Sequence, residues 1–133
     1  MIDLRTLFAT TRRIAVLGAH RDPWKPAFYV PDYLHQTGYD ILPVNPVLVG
    51  ETLWGQPVRA TLGEVGAVDM VVVFRRSELL PVHLPEILAM QPLPRCVWLQ
   101  SGIRLDSFAK ILEERGIQVV QDRCSMVEHR RLA

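Results

Sequence analysis

Short apolar runs recur at residues 14–17, 39–44, 68–74, 96–100 and 117–120, and helical periodicity fills most of the gaps between them. Each run has the length of a buried strand. A membrane span needs about 20 apolar residues, which none reaches. The run at 68–74 (Val-Asp-Met-Val-Val-Val-Phe) is almost continuously apolar, as a central strand covered on both faces requires. Strands alternating with helices form βαβ units, and right-handed crossovers make the resulting sheet parallel. The predicted class is therefore α/β: a single Rossmann-like, doubly wound domain over residues 1–133, with a mainly parallel sheet of about five strands.

Local signals place the elements. Phe28, Val30, Tyr33 and Leu34 give residues 27–37 a helical period closed by Gly38, with Pro31 near the first turn. Residues 39–44 follow as the second strand, and Pro43 with the Asn45-Pro46 turn signal brings it to an end. Residues 53–58 read as extended or irregular, interrupted by Gly55 and Pro57, and Thr61 and Glu64 have capping-box spacing for a short helix. Ser77 is expected to cap a helix over 79–90, in which Pro85 is awkward. Leu105, Phe108, Ala109 and Leu112 share one face of a helix over 104–115, which Gly116 stops. Residues 123–132 form a short basic helix, and residues 1–12 a helical N-terminal extension.

Composition removes several function classes. With 49% hydrophobic and 22% charged residues, the chain has the balance of a globular protein with a core. A net charge of +1 gives no global attraction to nucleic acid or anionic membrane. Cys96 and Cys124 lack zinc-site spacing, and no carboxylate–histidine cluster suggests a metal. Without a signal-peptide apolar segment, the expected location is cytoplasmic.

The chemistry concentrates in loops that leave the strands at their C-terminal ends, which all lie at one edge of a parallel sheet. The first loop, Gly18-Ala19-His20-Arg21-Asp22-Pro23-Trp24-Lys25, combines a glycine with cations before a helix N-terminus, a place suited to phosphate. It lacks the G-x-G-x-x-G of a dinucleotide fingerprint. Asn45-Pro46 supplies an amide at the second strand end, Phe74-Arg75-Arg76 a pair of phosphate-capable guanidiniums at the third, and Gln100-Ser101-Gly102-Ile103 a close-approach glycine at the fourth. Each alone is equally an ordinary turn; their shared edge is the signal. Cys124 and His129 are spaced by five on a short helix and would not share a face, so they make a poor thiol–base pair.

This set resembles the small stand-alone CoA-binding proteins, related to the CoA-binding domain of succinyl-CoA synthetase alpha subunits. The resemblance rests on the Ile14–Gly18 segment with Pro23, Tyr33-Leu34, Gly38-Tyr39 and Val44-Asn45-Pro46. It continues through Asp69, Val73-Phe74-Arg75-Arg76, the segment from Val97 to Ile103, Asp122-Arg123-Cys124 and Glu128-His129-Arg130. It implies that Gly18, Ala19, His20 and Arg21 line the phosphate side of a CoA site, with Lys25 nearby. Asn45-Pro46 and Phe74-Arg75 would flank the nucleotide, and Gln100, Gly102 and Ile103 the pantetheine. Serines common in the family are replaced here by Ala19 or His20, and by Ala27. The implied function is non-catalytic binding of CoA or acyl-CoA. The alternatives are an NAD(P)-binding enzyme or redox sensor on the same fold, and an acyl-CoA-handling enzyme using His20 or Cys124. The basic tail is left for a homo-oligomer or partner-protein contact.

Overall fold

All five apolar runs become strands of one sheet, three of them flanked on both sides and two forming its edges. The computed structural model describes residues 2–132. In chain order the main elements are α1 (Leu4–Ala9), β1 (Arg13–Leu17), α2 (Pro26–Gln36) and β2 (Asp40–Val44). A small hairpin, β3 (Thr52–Leu53) with β4 (Gln56–Pro57), precedes β5 (Met70–Val73), α3 (Leu80–Leu88), β6 (Cys96–Leu99), α4 (Asp106–Glu114), β7 (Gln118–Val120) and α5 (Ser125–Leu132). The large sheet has five parallel strands in the order β2-β1-β5-β6-β7. It is a Rossmann-like α/β fold.

Alternation along the strands sends successive side chains to opposite faces. Leu17, Leu42, Val71, Val73 and Leu99 pack on one face against Leu80 and Ile87 of α3 and Phe108 and Leu112 of α4. Ile14, Val16, Ile41, Met70, Val72 and Trp98 pack on the other against Leu7 and Phe8 of α1 and Val30 and Leu34 of α2, where α5 also rests. Two apolar layers thus clamp the sheet, which is why β5 carries no polar residue.

β2 ends at Val44, before the Asn45-Pro46 turn as expected, and it accommodates Pro43 because it is an edge strand where a missing N–H costs no ladder bond. Local differences from the sequence expectations have physical causes. Ser77 does not cap a helix. Its Oγ accepts from the Arg104 N–H at 3.0 Å, and a 3₁₀ turn, Ser77–Leu79, leads into α3 instead. The Thr61–Glu64 signal produces only a 3₁₀ turn, with the Glu64 carboxylate accepting from the Thr61 and Ala60 N–H groups. Among the described residues no helix is long and apolar enough to cross a membrane.

Candidate functional site

An open parallel sheet binds ligands beyond its C-terminal strand ends, at the point where successive connections leave in opposite directions. Here that point lies between β1 and β5: β1 connects through α2 to β2 on one side, and β5 through α3 to β6 on the other. Gly18 ends β1 and meets the end of β5. A Cβ on Gly18 would lie 2.7 Å from the Phe74 carbonyl oxygen and 3.3 Å from Arg75 Cδ. With φ at +87° besides, the position admits no side chain without strain.

Gly18 and Arg75 form a saddle between two clefts. The larger, of about 790 Å³, is walled by the α2 N-terminus (Lys25, Ala27, Tyr29), the loop after β6 (Gln100, Gly102, Ile103) and the start of α5 (Cys124, Met126). The smaller, of about 520 Å³, lies on the β2 side between Pro46 and Val47 on one wall and Val82, His83 and Pro85 on the other. Val47 and Val82 are 85% and 71% exposed, so this cleft has apolar lips.

The saddle is also where cationic groups converge. Arg75 Nε donates to His83 Nε2 at 3.2 Å, and His83 Nδ1 lies 2.7 Å from Glu86 Oε1. Since Nε2 accepts, the neutral ring carries its proton on Nδ1 and donates it to the carboxylate. Glu86 is held in turn by the Leu62 N–H at 3.3 Å. The guanidinium is thus fixed by one edge, while its two terminal nitrogens have no protein partner among the described residues. Across the larger cleft, α2 opens at Lys25-Pro26 with no acidic residue in its first turn, and the Ala27 N–H there has no carbonyl a turn back to bond. His20 lines the same cleft. Its Nδ1 accepts from the Asp22 N–H at 2.9 Å, so in the neutral ring Nε2 is the donor.

The remaining residues implicated by sequence divide by position. Phe74, Arg76, Gln100, Gly102 and Ile103 line the larger cleft, and Asn45 and Pro46 the smaller. Arg76 is exposed and lies 3.6 Å from Glu78. Asn45 holds the loops rather than presenting its amide: Nδ2 donates to the Ala19 carbonyl at 2.9 Å and Oδ1 accepts from Val47 N–H at 2.9 Å. Ala19 and Arg21 line neither cleft. The Ala19 methyl is buried in the core, and Arg21 pairs with Glu51 at 2.7 Å.

Cys124 and His129 are kept apart. Cys124 faces the larger cleft, whereas His129 sits among Phe8, Tyr33 and Tyr39 with Nδ1 2.7 Å from the Tyr33 hydroxyl. Burial lowers the His129 pKa and pushes the Cys96 thiol up to about 12, so Cys96 is an inert core residue. Sequence reasoning missed His83 with Glu86, and Tyr29 and Met126 on the cleft walls. The i, i+3 spacing of His83 and Glu86 was the available signal, since such pairs share a helix face.

The CoA binding domain family model (CoA_binding_2) matches residues 12–130. The chain belongs to this CoA-binding domain family. The membership agrees with the resemblance read from the strand-end motifs. This CoA-binding domain is 34% identical over 128 residues to the Bacillus subtilis protein YneT, covering 96% of its own length and 92% of YneT. It is similar to a solved Thermus thermophilus structure at 53% identity and a TM-score of 0.94, covering 98% of this chain and 96% of that one. A hypothetical protein from Pyrococcus horikoshii OT3 aligns at 28% identity and a TM-score of 0.87, over 97% of this chain and 89% of that one.

Proposed function

We propose that the protein binds CoA or an acyl-CoA without transforming it, the ligand crossing from one cleft to the other over Gly18. The phosphates lie between the free edge of Arg75 and the N-terminus of α2, with Lys25 and His20 beside them. The adenosine end takes the smaller cleft, against the apolar surfaces of Pro46, Val47 and Val82. The pantetheine arm follows the larger cleft past Ile103 and Gly102 toward Gln100.

The observation that carries this reading is the shared saddle. A residue with no side chain lies beneath a guanidinium tethered by one edge, which leaves both space and a two-nitrogen fork for a phosphate. A helix N-terminus facing the same space adds to the attraction for an anion. CoA has parts in the matching order: a flat base, a phosphate-bearing middle and a long amide-bearing arm. Family membership supports the same ligand. The first loop, Gly18-Ala19-His20-Arg21, does not carry the G-x-G-x-x-G fingerprint of dinucleotide-binding Rossmann domains. No chemistry is assigned, since Cys124 has no hydrogen-bonded base among the described residues.

Thermal unfolding with CoA, acetyl-CoA, NAD, NADP and ATP at equal concentrations tests the proposal. At equal concentration, a ligand that binds only the folded state raises the midpoint by an amount that grows with the logarithm of its affinity. CoA or acetyl-CoA is expected to give the largest rise. A larger rise with NAD or NADP would sink the reading, and turnover of acetyl-CoA lost in His20→Ala or Cys124→Ala would replace it with an enzyme.

A further inference from the structure

Resting on the CoA reading above, we propose that Gln100 recognises a carbonyl oxygen on the ligand's amide-bearing arm. Gln100 follows β6 and is 4% exposed. Its Oε1 accepts twice from Ser125, from the backbone N–H at 3.1 Å and from Oγ at 2.7 Å. A backbone N–H can only donate, so the atom facing it is the oxygen and the orientation of the amide is fixed. The –NH₂ end is therefore turned away from α5.

Among the described residues Nε2 has no protein partner, and yet no side-chain nitrogen or oxygen is both sealed from solvent and unpaired. Its N–H groups therefore open into the larger cleft, which Gln100 lines. The lining residues Gly102, Ile103, Cys124 and Met126 offer no strong side-chain acceptor, and the Ser101 hydroxyl, also in the lining, makes no hydrogen bond to Nε2 among the described residues. Phosphates have better partners at the saddle. A neutral donor held rigidly in such a wall is complementary to a neutral acceptor, and leaving it unmatched against a bound ligand would cost affinity. CoA presents amide carbonyls along its pantetheine arm, and an acyl-CoA adds a thioester carbonyl. Gln100 would then distinguish these ligands from others with the same phosphates and no arm.

The test titrates wild type, Gln100→Glu and Gln100→Met with CoA, acetyl-CoA and an adenosine bisphosphate that lacks the pantetheine arm. Glutamate keeps an oxygen for Ser125 and removes the donor. Methionine removes the donor without adding charge, and reads the same quantity if the buried carboxylate is not tolerated. In both variants the ratio of CoA affinity to bisphosphate affinity should fall about tenfold. Equal falls for CoA and acetyl-CoA assign the bond to an amide carbonyl, and a fall for acetyl-CoA alone to the thioester. Ratios to the bisphosphate that stay unchanged for both CoA and acetyl-CoA, including the case in which all ligands weaken together, overturn the role of Gln100. Wild-type protein that binds none of the three overturns the CoA reading itself.

Discussion

Arg75 is anchored through Nε alone, so its terminal nitrogens can meet a phosphate without first breaking a protein contact. Hydrogen bonds to charged groups contribute about 1.5–3 kcal/mol each. Arg75→Met should therefore weaken CoA about tenfold or more, and weaken the arm-less adenosine bisphosphate equally, because both ligands carry the phosphates. The unliganded protein should unfold within a few degrees of wild type. Calorimetric titration checks this, and unchanged CoA affinity would remove Arg75 from the site. Gly18 and the strand-end arginine were legible as residue types at predictable positions. The use made of each amide was not. Asn45 looked available to a ligand, but both ends of its side chain are bonded within the protein, to Ala19 and Val47. Gln100 spends only its oxygen. The Val47 bond is a local turn contact, but the Ala19 and Ser125 partners are distant in sequence, which no local pattern records.

At the scale of elements, α5 forms part of the cleft wall while its far side is held by His129. The ring stands edge-on to Phe8, Tyr33 and Tyr39, and burial lowers its pKa from the ordinary 6.5. As pH falls below 6.5 the unfolded chain takes up a proton that the folded ring resists. The folded state then binds fewer protons, so the stability contributed by the neutral ring is complete above that pH and is lost as pH falls toward the folded value. His129→Phe keeps an aromatic ring in place and cannot titrate. The urea midpoint of wild type should drop more between about pH 7.5 and about pH 5.5 than that of His129→Phe. Equal drops would place the pH sensitivity elsewhere. Periodicity revealed α2 and α4, since each carries an apolar face against the sheet, whereas α5 was legible only as a short basic segment. It could not reveal β3 and β4, whose two-residue strands contain no period, with Trp54 at φ 54° and Gly55 turning the chain between them. Nor could it reveal that Ser77 serves Arg104, a contact across 27 residues.

Across the whole molecule, the alternation of strands and helices dictated a parallel sheet with both faces covered, and the structure has one. Strand order was not written in any one segment. It follows from which apolar faces pack together, and it decides function by separating β1's connections from those of β5. That separation opens the crevice, and the Gly18–Arg75 contact divides the crevice into two joined clefts. In the proposed complex, one CoA molecule spans both. A crystal structure of the CoA complex tests it most directly. Phosphate oxygens are expected over Gly18, within hydrogen-bond distance of Arg75 and the Ala27 N–H, with the base beside Val47 and the arm running toward Gln100. CoA confined to one cleft with the saddle empty, or bound away from both, would contradict it.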